Sequence, residues 1–380
     1  MTAVRLLFIA LILALNASAS RVSAEAAPSA KPQPGEHRYL YAACPGIRDL
    51  LEYGGHGVLV FDVDDHFKFV RRIPFEGLKS DGKPDNVKGI CASAATGRLY
   101  VSTIHALTCI DLLTDKVLWE KKYDGNCDRM SITPDGKTIY LPSFESAHWN
   151  VVDGASGEVI TKITPNSGAH NTVVGIDGKY AYLAGLKSPL LQVVDTSKNK
   201  AIREVGPFSA SIRPFTVNAD QTLAFCCVNE LLGFEIGDIK TGKVLHRVEV
   251  TGFKKGPVKR HGCPSHGVGL TPDEKEVWVC DAANQRLHIF DATAMPPKLV
   301  ASIEVRDQPG WITFSLDGGY AYSSTGEVID VKTRKIIAAL ADENGKPVHS
   351  EKVIEIYFKD GKPTRNADQF GLGRAISETR

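Results

Sequence analysis

The chain has 380 residues, 43% of them hydrophobic, and a formal net charge of +1. Charge this evenly balanced argues against a protein that coats a polyanion, so a nucleic-acid partner is not expected. The length admits two ordinary domains or one repeat array, and the pattern along the chain has to choose.

The chain opens on Arg5, an apolar run from Leu6 to Leu15 and then small residues, which reads as a signal peptide over 1–26. Cleavage is expected after Ala19 or after Ala26. The run is shorter than the ~20 residues that span a bilayer, and no later stretch approaches that length. The expected product is a secreted or periplasmic protein without a membrane span. Residues 27–36, rich in Pro and Ala, read as a flexible lead-in.

Three alternating segments follow, "HRYLYAA", "GVLVFDV" and "FKFVRRI", and then one phrase recurs. It reads "MSITPDGKTIYLPSFESAHWNVVD" at 130–153, "TVVGIDGKYAYLAGLKSPLLQVVD" at 172–195 and "VGLTPDEKEVWVCDAANQRLHIFD" at 268–291. Each copy is a strand, a PDGK-type turn, a second strand, a variable loop and a third strand ending in Asp. Alternation with Gly/Asp turns predicts antiparallel meanders. The closing Asp counts the copies: Asp62, Asp111, Asp153, Asp195, Asp238, Asp291 and Asp330, at intervals of 39–53 residues. Seven four-stranded units that cannot each bury both faces predict an all-β, seven-bladed β-propeller over 37–362. The first unit lacks an inner strand, and "KVIEIYFKDGK" near the C-terminus supplies it, closing the ring without a free edge. The tail, 363–380, finds no place in this pattern.

The strings "SITPDGKTIYLPS…VVD" and "GLTPDEKEVWVCDAANQRLHIFD" resemble the YVTN-type β-propeller repeat family, although the Tyr-Val-Thr-Asn string itself is absent. The resemblance implies the propeller and leaves function open. Eight cysteines permit disulfides in an exported protein, but no CxxC zinc spacing occurs, and scattered buried thiols fit equally.

Inner strands of a propeller converge on its channel. Aligning the units on the PDGK-type turn sets Gly89, Asp128, His170, Arg213, His266 and Gly310 at equivalent places in blades two to seven. Val353 takes that place in blade one, with His349 and Glu351 just upstream. The run Asp-His-Arg-His predicts a site at the mouth. His170, His266 and Asp128 are the expected acid–base residues, and Arg213 is the expected carboxylate clamp. His105, His148, His349 and Glu351 are expected to help hold the substrate. His170, His266, His349 and Glu351 are candidate ligands for a divalent metal, the one cofactor considered. His261 is expected on a basic rim loop, apart from His266.

These residues suit a small anionic ligand such as an acidic, uronate-containing glycan, taken by a monomer and cleaved by β-elimination. The alternatives are a non-catalytic ligand- or protein-binding propeller and a metal-assisted hydrolase or lactonase. A polar lining in a wet channel also arises without any function.

Overall fold

A computed structural model describes residues 31–374. The signal-peptide assignment and residues 375–380 lie outside the described residues. Among the described residues twenty-nine strands form seven antiparallel sheets, six of four strands and one of five. The closing Asp of each unit works as a turn cap. Asp153 Oδ1, for example, accepts the backbone N–H groups of Ala155 and Ser156 at 3.1 and 2.7 Å; Asp111 and Asp238 do the same in their own blades, and Asp330 accepts the Thr333 N–H. An Asx turn sharpens the hairpin into the outer strand. The PDGK turn is built likewise: Asp135 Oδ1 accepts from Thr133 Oγ1 at 2.6 Å and from the Lys137 N–H at 3.1 Å, while Gly136 takes a φ of 71°. That positive φ is where glycine is needed.

The ring closes as expected. The strand Val353–Lys359 pairs antiparallel with Glu36–Cys44, so the two ends of the chain share blade one. A further strand, Lys362–Asn366, adds to Val353–Lys359 on its channel side. Blades are sealed to one another by apolar side chains and by polar links. The Trp149 indole N–H of blade three, for instance, donates to Thr172 Oγ1 of blade four at 2.8 Å. All eight cysteines are buried free thiols. Burial pushes Cys44 and Cys227 up to about 12.

The tail does have a place. After Asn366 the chain turns into the channel, where Gln369, Phe370 and Leu372 are buried. The Gln369 side chain accepts from the Ile90 N–H of blade two at 3.1 Å and donates to the Met130 carbonyl of blade three at 3.2 Å. The Gly371 carbonyl accepts from Thr216 Oγ1 of blade five and from the Leu270 N–H of blade six, both at 2.8 Å. The propeller body therefore runs past 362 to at least 374.

Candidate functional site

Three inner strands reach the mouth through irregular pairing. Register shifts fall between Val87 and Gly89, between Ala169 and Asn171, and between Ile212 and Phe215. The intervening Lys88, His170 and Arg213 all line one cavity of about 270 Å³ at the channel mouth. Bulges of this kind re-aim a side chain that regular pleating would turn elsewhere. In blade three the regular strand is only Ser131–Ile132, and Arg129, joined to Asn171 by an isolated bridge, supplies the lining. His266 precedes Gly267, whose φ is 153°, and Glu351 and Lys352 precede the inner strand of blade one.

The expected row is therefore corrected by one residue in three blades. Lys88, Arg129 and Lys352 face the cavity, whereas Gly89, Asp128 and Val353 do not line it. Asp128 stands behind the lining, fully buried, with its Oδ2 2.6 Å from His170 Nδ1 and its Oδ1 3.5 Å from Lys88 Nζ. Arg129 Nη1 lies 3.0 Å from His170 Nε2. A guanidinium can only donate, which fixes the tautomer: His170 accepts at Nε2 and donates from Nδ1 to Asp128. Burial lowers His170 to about 4 despite Asp128, so the ring is neutral near pH 7. Burial would raise Asp128, but His170, Lys88 and Arg129 outweigh it and hold the carboxyl at about 2. With His170 neutral, its share is the Nδ1–H bond, and the charge comes from Lys88 and Arg129. His170 thus has no free lone pair, and the expected catalytic role for it and Asp128 becomes one of positioning Arg129.

Glu351 is the hub. Arg129 Nη2 donates to its Oε2, Lys352 Nζ lies 2.8 Å from the same oxygen, and His261 Nδ1 is 3.0 Å from Oε1. Burial would raise this carboxyl, yet Lys352, Arg129 and His261 keep it well below the usual range. Burial lowers Lys352 to about 7 against the pull of Glu351, with Arg129 and Lys88 adding to the fall.

His261 is not on the rim. Its side chain is 2% exposed and stacks on His266, with centroids 4.9 Å apart and an interplanar angle of 22°. Its Nε2–H donates to the Gln308 carbonyl at 3.0 Å. The ring fills the space over Gly310, where a Cβ would stand 2.0 Å from its Cε1. Blade seven offers no side chain to the row, and blade six's loop reaches across to fill the gap. Arg260 of the same loop extends to Tyr53 of blade one, with Nη2 3.1 Å from the hydroxyl.

His105, His148 and His349 do not line the cavity. His105 Nδ1 pairs with Asp85 at 2.7 Å, and His148 Nε2 lies 3.2 Å from the Asp124 carbonyl. His349 stacks on Tyr53 at 4.2 Å, and burial lowers it to about 4. Of the four candidate metal ligands, His266 and Glu351 meet, with His261 as the third member. Ligand atoms of these three lie within 4.8 Å of one another. A metal binds in the plane of each imidazole, and near-parallel stacked rings share no such point close to their nitrogens. His266 also spends Nδ1 on the Gly310 carbonyl, at 3.0 Å. His170, with both nitrogens engaged, adds no ligand. The arrangement does not fit a metal without turning a ring.

The lining is cationic. Arg48, Lys88, Arg129, Arg213, Arg260 and Lys352 stand against two carboxylates, Glu145 and Glu351. Among the described residues Arg48, Arg213 and Arg260 form no ion pair. Arg213 Nε donates to Asn229 Oδ1 at 2.6 Å, Arg48 donates to the Arg260 carbonyl at 2.9 and 3.1 Å, and Arg260 meets Tyr53. Guanidinium groups without a carboxylate partner around one cavity are an anion-recognition arrangement.

No family model matches the chain, and no curated protein does. Among solved structures it is similar to the β-propeller domain of Myceliophteria thermophila Cps50 (Swd1). That match has 12% identity and a TM-score of 0.54, and covers 70% of this chain and 86% of that one. It is also similar to a chain of a mitotic checkpoint complex, with 12% identity and a TM-score of 0.59, covering 84% and 96%. The likeness is one of fold. It shows a β-propeller, and the chemistry of the mouth rests on its own residues.

Proposed function

We propose that the mouth binds a small anionic ligand, and that a uronic acid or the uronate unit of a glycan is the class it takes. One observation carries this reading: three arginines without a carboxylate partner line the same cavity as the buried Lys88, Arg129 and Lys352. In the catalytic form of the proposal, a base removes the proton on the carbon beside the carboxylate, and the electron pair forms a carbon–carbon double bond. The carbon–oxygen bond one carbon further then breaks, and the departing oxygen takes a proton. Lys352, lowered to about 7, is the proton-transfer group matched to neutral pH. His266 lines the cavity, and its Nε2 accepts no hydrogen bond among the described residues. We place this activity outside the cytoplasm, as the leader implies, in a monomer.

The second reading is binding without turnover, favoured by the locked state of His170 and Asp128. Calorimetric titration with galacturonate and with glucose tests the binding, and ultraviolet absorbance of the unsaturated acid tests turnover. Arg213→Ala is expected to weaken galacturonate about 10-fold or more, the worth of a charge-assisted hydrogen bond. Equal binding of galacturonate and glucose, or unchanged binding by Arg213→Ala, defeats the anion reading. Tight binding with no product selects the second reading.

A further inference from the structure

The channel of this propeller is divided. Below the mouth cavity lies a second one of about 160 Å³, lined by Cys91, Pro134, Ile176, Phe370 and Arg374 among others, and no residue lines both. The C-terminal segment 367–374 lines the second cavity and not the first, and it crosses the channel beneath the mouth row. It touches the inner strands of blades two, three, five and six through the bonds already described, and that of blade seven through Thr313 Oγ1, which donates to the Asp368 carbonyl at 2.9 Å. Its Gly373 N–H and Arg374 N–H add bonds to the Val217 and Pro272 carbonyls at 3.1 and 3.0 Å.

The segment also supports the cup from beneath. The Trp311 indole N–H donates to the Gln369 carbonyl. The Arg129 guanidinium lies over that indole, 4.7 Å from the ring centroid. A cation held on an aromatic face in a water-poor site gains both attraction and a fixed orientation. The tail therefore sets the floor on which a lining arginine rests.

We infer that the C-terminal segment makes the mouth a blind cup, so that its ligand is a single acidic unit, free or at the end of a chain, and not an internal unit of a threaded polyanion. This rests on the anion-binding reading of the cup. The volume agrees: about 270 Å³ falls just below the ~300–1,000 Å³ of pockets for drug-sized ligands. The opening is also narrowed by the 258–264 loop, tied to blade one by Arg48 and Arg260 and to blade seven by the Lys259 N–H, which donates to Gln308 Oε1 at 3.0 Å. An internal unit would need both neighbours of its chain to leave through that same opening.

The test is calorimetric titration of the full chain with galacturonate and with polygalacturonate fractions of rising length, compared at equal mass. The expected result is that galacturonate binds and that polymer affinity follows the molar concentration of chains, falling as length rises. Polymer affinity that follows total residues at every length overturns the inference and leaves the anion reading standing. Absence of binding by every acid removes both. A chain ending at Asn366 is expected to lose galacturonate affinity at least 10-fold. Should that chain not fold, Gln369→Ala, which removes the side-chain bonds to Ile90 and Met130, is expected to weaken galacturonate about 3-fold. Wild-type affinity in whichever of the two folds overturns the floor's role.

Discussion

Gly310 gives the sharpest test of how the mouth is assembled. A methyl group at this position would stand 2.0, 2.3 and 2.5 Å from Cε1, Nε2 and Nδ1 of His261, too close for any side chain. The imidazole has to move. Moving it breaks the Nε2–H bond to the Gln308 carbonyl and separates Nδ1 from Glu351. Overpacking in a dense interior costs about 1–3 kcal/mol. A lost hydrogen bond to a buried charge adds roughly 1.5–3 kcal/mol. Partial relaxation of the loop offsets some of this, so Gly310→Ala should cost about 2–4 kcal/mol. The assay is urea unfolding of four proteins, wild type, Gly310→Ala, His261→Ala and the double variant, compared at constant slope. With His261 truncated the added methyl group has room, so Gly310→Ala should then cost less than ~0.5 kcal/mol. The resulting coupling is about 1.5 kcal/mol or more, well above the error of such cycles. Equal costs of Gly310→Ala with and without His261 would falsify the placement of that ring.

The acid side of the stability profile should report His170. Its folded value of about 4 lies below the ordinary 6.5, so the unfolded chain binds the proton first. Stability is full above pH 6.5 and is lost as pH falls toward 4, by up to about 3 kcal/mol at 1.36 kcal/mol per pH unit. His349, also lowered to about 4, and His266, lowered well below its ordinary value, add to the loss in the same window, so His170→Gln should remove only its own share of the slope; an unchanged profile would refute the assignment. Truncating Asp128 to Ala leaves Lys88 and His170 facing a buried gap and is expected to cost about 3–5 kcal/mol in urea unfolding; a loss below ~1 kcal/mol would show that the pair is not held as described. Anion affinity should fall as pH rises through 7, because Lys352 loses its charge there. In Lys352→Arg that fall should disappear, whereas an equal slope in both proteins would assign it elsewhere. A thiol reagent should find none of the eight cysteines in the native protein and all eight after denaturation, since every one is buried; fast native labelling would contradict the packing.

Local chemistry determined the architecture from sequence alone. The Asp that closes each third strand caps the next turn through its own side chain, and the PDGK turn is fixed by Asp135 and Gly136. Such contacts span two or three residues, so they repeat visibly and count the blades. The inner strand supplied from the C-terminus was legible for the same reason, because a unit short of one strand has to find it elsewhere. His170, Arg213 and His266 line the cavity as their places in the repeat predict, although bulges interrupt the pairing at His170 and Arg213.

Tertiary structure alone decided what faces the ligand. A bulge at the mouth end of a strand moves one side chain across the sheet, and a shift of one residue exchanges the two faces. That exchange accounts for Lys88, which sits in a register shift, whereas Arg129 and Lys352 enter the lining from just ahead of the strands Ser131–Ile132 and Val353–Lys359. His261 reached the cavity through a vacancy left by Gly310 in another blade, 49 residues onward. The tail entered the channel through bonds to five blades that no spacing in its own sequence records. Turn chemistry is local and therefore written along the chain. A site made where seven blades converge is written only across it.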